Sequence, residues 1–393
     1  MYKIINRKKL YATMAADLAG GLLYYPLSLF RKTEEITPEK VKEILIIRTA
    51  YIGDVVMTLP LLKPIKERFR GARVTFLTSK LAGQILEKNP YVDEVITYDP
   101  FWFYPSARKA YFEFIKKLKK RRFDLVIEAR GDIREFLLLL RPLRARYKVS
   151  YDVGGGGYLL THVVPYRGLK HKVQYHLDMA RFLGCRAEGA VEWGLYLTDE
   201  EKEKAAETLE QLGLGEGDPF VLVHPGGRKM ALKCWPLERY AELADFISNE
   251  FGLPVIITGS PGEMGLARGM KDAMTTTPII LTGKTTLREL AGIMARASLA
   301  VTNDSGPMHI AAAVKTPVVA IFGPSKSEET APYGPGHIVV EKDFPCRRTC
   351  DEDVCKFEIH NQCMKDIHVD DVIEAVKKSL TQREKDHGYS NIH

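Results

Sequence analysis

Residues of the types that carry chemistry gather in four short segments of this 393-residue chain, each placed directly after an apolar, strand-like run. In the first, Arg48-Thr-Ala-Tyr-Ile-Gly-Asp-Val-Val-Met-Thr-Leu-Pro60, Gly53 permits a tight turn and Asp54 stands at or near the start of a helix. A carboxylate there is either an N-cap or a general base aimed at a bound hydroxyl. Thr49 lies on the same loop, and the segment lacks the Gly-x-Gly-x-x-Gly spacing of a dinucleotide site. In the second, Val301-Thr-Asn-Asp-Ser-Gly-Pro-Met-His309, the residues Asp304, Ser305 and Gly306 precede a helix. Backbone N–H groups and the Ser305 hydroxyl would then point at one spot, an arrangement that cradles phosphate, and His309 could add a donor. A capped helix with a packed histidine is the competing reading.

The third segment, Val223-His-Pro-Gly-Gly-Arg228, is followed by Lys233-Cys-Trp-Pro236. Backbone donors at Gly226 and Gly227, then a lysine and a Pro-started helix, suit a pyrophosphate. The fourth, Ile257-Thr-Gly-Ser-Pro-Gly-Glu263, sets a carboxylate at a helix start, where it either holds ribose hydroxyls or is a plain first-turn Glu. Gly283-Lys284-Thr285 is no P-loop, because the glycine that motif needs five residues earlier is Pro278. Cys346, Cys350, Cys355 and Cys363 fall within eighteen residues. They could hold zinc or an iron–sulfur cluster, but no paired Cys-x-x-Cys is present, and free thiols in a reducing compartment are the expected state.

Elements of a particular kind must position these segments. Ile44–Ile47, Val74–Leu77, Val95–Tyr98 and Leu125–Ile127 are apolar runs without polar alternation, spaced by helical stretches such as Leu59–Arg70 and Ala107–Lys120. Such runs read as a parallel sheet covered on both faces. After a charged helix over Leu195–Gly213, expected to join two halves, a second series follows: Phe220–Val223, Pro254–Ile257, Ile279–Leu281, Leu299–Thr302 and Pro317–Phe322. The fold class is therefore α/β, with two Rossmann-like domains facing across a cleft. The expected divisions are 1–40, a membrane-surface helix and linker; 41–190, a first Rossmann-like domain; 191–366, a second; and 367–393, a final helix and tail.

Composition bounds the class. The chain is 45% hydrophobic and 27% charged, which excludes a disordered chain and a polytopic membrane protein. Six cysteines exclude a disulfide scaffold. The net charge of +7 is uneven: residues 1–33 carry +5, and residues 101–175 hold 17 Lys/Arg against six Asp/Glu. The first stretch brackets Leu10–Phe30, whose one charge is Asp17. That mid-segment charge, with Pro26 and Gly20–Gly21, disfavours a span, so an amphipathic helix lying on a membrane surface is expected. Thr33–Lys40 reads as a linker. The second basic stretch, with Arg130, Arg134 and Lys116–Arg122, suits an anionic partner or a solvated helix end. No recognised module or interleaved aromatic pattern supports nucleic-acid binding.

Taken in order, Ile52-Gly-Asp54, Lys233-x-Trp235 and Asn303-Asp-Ser-Gly-Pro-Met-His309 followed by Tyr333-Gly-Pro335 resemble the glycosyltransferase family that contains the lipopolysaccharide heptosyltransferases, over roughly residues 41–380. The resemblance implies a GT-B fold, with 41–190 as the acceptor-binding domain and 191–366 as the nucleotide-sugar-binding domain. It also implies an inverting, metal-independent transfer of heptose from ADP-heptose to the lipopolysaccharide inner core. In that reading Asp54 is the catalytic base, Lys233 the phosphate lysine and Glu263 the nucleoside-binding acid. Asp304, Ser305, Gly306 and His309 form the donor-binding loop, while Thr49 and Gly53 match the first loop less exactly. No cofactor is expected, and the partners are a nucleotide-sugar donor, an anionic lipid-linked oligosaccharide bound by Arg130 and Arg134, and a membrane surface. The expected location is the cytoplasmic face of the bacterial inner membrane. The N-terminal extension and the Cys-rich tail depart from the shorter family members. Rival readings are a nucleotide-sugar epimerase and a non-catalytic nucleotide-sugar-binding protein.

Overall fold

A computed structural model describes residues 3, 6–28, 34–49, 51–104, 108–227, 231–347, 350, 354–355 and 357–387. The chain forms two compact units, Met1–Leu195 and Tyr196–His393.

The first unit is built on six parallel strands: β1 Glu43–Ile47, β2 Arg73–Thr78, β3 Glu94–Thr97, β4 Arg122–Glu128, β5 Arg144–Ser150 and β6 His162–Val163. They run in the order β3-β2-β1-β4-β5-β6. The order reverses between β1 and β4, which makes the loops leaving those two strands the place where this topology opens a crevice. Ile44–Ile47 are fully buried because helices cover both faces of the sheet. The second unit repeats the plan with β7 Val221–His224, β8 Val255–Ile257, β9 Ile279–Ile280, β10 Leu299–Asn303, β11 Val318–Phe322 and β12 Ile338–Glu341, in the order β12-β11-β10-β7-β8-β9. Its reversal point lies between β7 and β10. Two parallel six-stranded sheets, each of Rossmann order, make this a GT-B-type α/β chain.

Three strands went unread in the sequence. β5 carries alternating charge, while β6 and β12 are short edge strands. The helices that matter below are α1 Arg7–Ser28, α2 Ile52–Val56, α3 Ala110–Leu118, α4 Lys172–Phe182, α5 Asp199–Gln211, α6 Leu237–Phe251, α7 Leu287–Met294, α8 Gly306–Ala313 and α9 Val369–His387. The charged helix α5 is not a free connector. Thr198 and Glu201 form a reciprocal capping box at its start, Glu201 also pairs with Arg288 of α7, and Ala205 meets Gly292. It is part of the second unit. So is α9, whose Val372 and Val376 enter the core with Tyr240, Leu243 and Ile247 of α6.

The N-terminal helix forms, although Leu29 and Phe30 of its expected run, the flanking Arg31 and Lys32, and Thr33 of the linker lie outside the described residues. The rest of the linker is pinned, since Glu34 bonds Arg146 and Lys40 at 2.6 Å and Ile36 is buried. Among the described residues no helix is long and apolar enough to cross a membrane.

Candidate active site

At the reversal point of the first sheet, the loop leaving β1 carries Asp54 into the first turn of α2. Tyr51 occupies the N-cap position, so Asp54 does not cap this helix. Instead its Oδ1 accepts hydrogen bonds from Arg48 Nη2 at 2.7 Å and from Lys172 Nζ of α4 at 3.1 Å. The side chain is 13% exposed. Burial alone would push this carboxyl up, but the charges of Arg48, Lys172 and Arg130 outweigh it and hold Asp54 well below the usual carboxylate range. It is therefore ionised through the neutral range. Gly53 sits within α2 in helical conformation rather than in a left-handed turn.

Thr49 faces the other way. Its hydroxyl donates to Glu135 Oε1 at 2.5 Å, in a fully buried spot where Glu128 lies against Glu135. Glu128 Oε2 accepts Gly131 N at 2.7 Å and Ser150 Oγ at 2.6 Å. Burial first, and the neighbouring Glu135 carboxylate second, push the Glu128 carboxyl well above its ordinary range, so Glu128 keeps its proton. Thr49 is thus a brace between the loops after β1 and β4, not a group presented to a ligand. His176 of α4 braces the same place, between the carbonyl oxygens of Met57 (2.8 Å) and Ala129 (3.2 Å). Its burial and Arg48 lower its pKa to about 4, which keeps the ring neutral.

The loop after β4 supplies Arg130 and Arg134. Both guanidinium groups stack over the Phe103 ring, at 4.4 and 5.0 Å from its centroid. Asp132 ties them together, 3.4 Å from Arg130 and bidentate to Arg134 at 3.0 and 2.6 Å. Arg130 is close enough for its charge to act on Asp54. With Arg48 and Lys172 the site holds four cations against two carboxylates, a local surplus suited to an anion.

In the second unit the loops leaving β7 and β10 come together in the same topological position. Lys233 Nζ lies 2.7 Å from Asp304 Oδ2, and both side chains are almost buried. Burial raises the Asp304 carboxyl, but Lys233, Ser325 and His309 together outweigh it and lower it, leaving a paired ion rather than a neutral acid. Ser305 is the N-cap residue of α8 but makes no side-chain cap; its hydroxyl pairs with Thr302 Oγ1 at 3.0 Å. The first amides of α8, starting at Gly306, therefore remain without a side-chain cap from Ser305, while His309 is buried one turn in and acts electrostatically on Asp304. Asn303 fixes the floor: its Oδ1 accepts Trp235 N (3.1 Å) and Tyr240 OH (2.9 Å), and its Nδ2 donates to Pro225 O (2.9 Å).

Glu263 is held locally. Its Oε2 accepts both Ser260 N and Ser260 Oγ at 2.7 Å, so the first-turn capping role is real. The same carboxylate sits under the Gly226–Gly227 turn and bonds the Gly227 amide. A Cβ at Gly226 would fall 2.3 Å from Glu263 Oε1, so only glycine allows this approach. Arg228 lies outside the described residues.

Cys346, Cys350, Cys355 and Cys363 line one cavity of about 90 Å³, walled also by Phe344 and Phe357. They share the cavity without converging, since among the described residues no three His, Cys, Asp or Glu side chains are grouped as metal ligands.

Arg48, Lys172, Asn303 and the Glu128–Glu135 pair were not singled out in the sequence. Arg48 stands in the quoted first segment, but Lys172 is 118 residues from Asp54 and carries no local signal.

The model of glycosyltransferase family 9 (heptosyltransferase) matches residues 111–359. The lipopolysaccharide heptosyltransferase 3 of Escherichia coli K12 is 30% identical over 293 residues, covering 70% of this chain and 80% of that protein. The lipopolysaccharide core heptosyltransferase OpsX of Haemophilus influenzae is 25% identical over 301 residues, covering 75% and 83%. Among solved structures, a family 9 glycosyltransferase from Veillonella parvula superposes with a TM-score of 0.74 at 24% identity, over 89% of this chain and 100% of that one. The ADP-heptose lps heptosyltransferase II of E. coli gives 0.68 at 24%, over 87% and 99%. The epimerase reading gives way to group transfer: this chain belongs to glycosyltransferase family 9, the heptosyltransferases, and is a glycosyltransferase.

Proposed function

We propose that the enzyme moves heptose from ADP-heptose to an anionic, lipid-linked core oligosaccharide of lipopolysaccharide, with inversion and without a metal. The observation that carries this reading is an Asp54 held ionised by Arg48 and Lys172 beside the Arg130–Arg134 pair. An acceptor hydroxyl does not ionise at neutral pH, so a carboxylate must take its proton as the new bond forms. The acceptor oxygen attacks the anomeric carbon, the bond from that carbon to the diphosphate breaks, the proton passes to Asp54, and the electron pair leaves with ADP. One displacement inverts the anomeric centre. Lys233 and the first amides of α8 then meet the charge gained by the diphosphate, the task a divalent cation would otherwise have.

The donor and acceptor classes are supported by the relatives' names, and the cationic surplus around Asp54 favours an acceptor bearing carboxylates or phosphates. In this reading Gly226, Gly227 and Glu263 hold the nucleoside diphosphate, with Asp304, Ser305, Gly306 and His309 shaping the loop around it. The enzyme works on the cytoplasmic face of the inner membrane.

The test is mass spectrometry of Kdo₂-lipid A, and of a core already carrying heptose, incubated with ADP-heptose and EDTA. The wild-type chain adds one heptose to one of these, while Asp54→Asn binds ADP-heptose but transfers roughly a hundredfold to ten-thousandfold more slowly. Full activity of Asp54→Asn, or no donor binding by the wild type, overturns the reading.

A further inference from the structure

Helix α1 is apolar on most sides, and it leaves large apolar residues exposed on the side turned away from its own protein. It meets the first unit through Asp17, Gly20 and Tyr24, which share one face. Asp17 Oδ1 accepts the Gly156 amide at 2.6 Å, Gly20 lies against the Tyr158 ring, and Tyr24 stacks on that ring at 5.4 Å. The other face carries Tyr11, Met14, Leu18 and Leu22, spaced by three and four residues and 43–70% exposed. A helix bordered by water carries polar residues on its outer face, where α1 carries these four apolar side chains. The mid-helix charge that argues against a span is turned into the protein and bonded there.

Helix α3 packs on the core of the same unit. Its Tyr111 and Phe114 pack on the same apolar cluster as Tyr24 of α1. Its outward side exposes Phe112, 73% accessible, among Arg108, Lys109, Lys116, Lys119 and Lys120, all exposed. An aromatic ring set among cations suits a headgroup layer of negative charge with acyl chains below it.

We infer that the outward faces of α1 and α3 form one surface that seats on an anionic phospholipid bilayer, with Tyr11, Met14, Leu18 and Leu22 entering the acyl boundary and the α3 cations meeting headgroups. The inference deepens the membrane-surface location proposed above and rests on it, but its test uses neither donor nor acceptor, so the two fail separately.

The experiment is flotation of the full-length chain with vesicles of phosphatidylcholine, with and without phosphatidylglycerol, at low and high salt. The wild-type chain floats with the anionic vesicles, and high salt weakens that binding. Leu18→Glu/Leu22→Glu reduces flotation roughly tenfold or more, and Lys116→Glu/Lys119→Glu removes the preference for anionic lipid. Both variants keep the wild-type melting temperature and ADP-heptose affinity, because the changed side chains are exposed and lie outside the candidate active site. Equal flotation of the Leu18→Glu/Leu22→Glu variant and wild type overturns the inference. So does a wild-type chain that ignores both kinds of vesicle, or a wild-type dimer that this variant converts to monomer, which would give the stripe to a second copy.

Discussion

Lys172 Nζ and Arg48 Nη2 both hydrogen-bond Oδ1 of Asp54, at 3.1 and 2.7 Å, and neither uses Oδ2. Two cations on one oxygen fix the carboxylate's orientation and leave the second oxygen outside both ion pairs. The same cations keep Asp54 ionised at the expense of its strength as a base, since a lowered pKa weakens proton uptake.

The pH dependence of transfer follows from that arrangement. Removing a neighbouring positive charge raises the pKa of a carboxylate, so Lys172→Met moves the acidic limb of the kcat/KM profile to higher pH by about one unit or more. Lys172→Arg restores it. A limb that stays in place in Lys172→Met shows that some other group controls it. In stability the sign is the usual one for a depressed acid: Asp54 contributes above its unfolded pKa, and the contribution is lost as pH falls through the folded value. Asp54→Asn lacks that acid-dependent part of the melting curve.

Lys233 and Asp304 form the nearly buried pair of the second unit. Lys233→Ala leaves Asp304 buried without its partner and costs about 3–5 kcal/mol of stability, read as a lower unfolding midpoint. It also weakens ADP-heptose binding by calorimetry, roughly tenfold or more, if Lys233 meets the diphosphate as proposed. Lys233→Met/Asp304→Leu recovers part of the stability and none of the affinity, which separates the two roles.

The Glu128–Glu135 pair predicts a slope on the alkaline side. A folded pKa raised above the unfolded value favours the folded chain at low pH and disfavours it as pH climbs past the ordinary Glu range. Glu128→Gln supplies the same donor permanently and removes the slope, which amounts to at most ~1.4 kcal/mol per pH unit for one proton. Unfolding midpoints between pH 5 and pH 8, flatter in the variant than in wild type, are the expected outcome.

Gly226→Ala tests the turn above Glu263. Its methyl group would enter space held by Glu263 Oε1 at 2.3 Å, and Glu263 cannot swing away without breaking its two bonds to Ser260. The cost is about 1–3 kcal/mol of overpacking. Donor KM rises several-fold, while the acid limb set by Asp54 stays where it is.

Much of the fold was legible because buried parallel strands leave an unmistakable trace: Ile44–Ile47 and Val318–Phe322 are runs with no polar interruption. β5, Arg144–Ser150, left none, since its pairing is decided by β4 beside it rather than by its own composition. Among the site residues, Asp54, Lys233 and Asp304 were visible as polar residues just past such runs. Their partners were only partly so. Lys233 and Asp304 were each singled out, but nothing in the spacing said that they pair. Thr49 and Ser305 were read as ligand-facing, whereas Glu135 and Thr302 take their hydroxyls.

The amino-acid sequence by itself determined the two α/β units, the strand ends where chemistry gathers and the acidic and basic residues placed there, because periodicity and strand-to-helix turns are local properties. Tertiary structure alone decided that Lys172 reaches Asp54, that Glu128 is buried against Glu135 and keeps its proton, and that α1 turns Asp17 inward and Leu18 outward. Each of those depends on which elements lie side by side, and a hydrogen bond or a burial cost is set by neighbours in space that the spacing of residues along the chain does not specify.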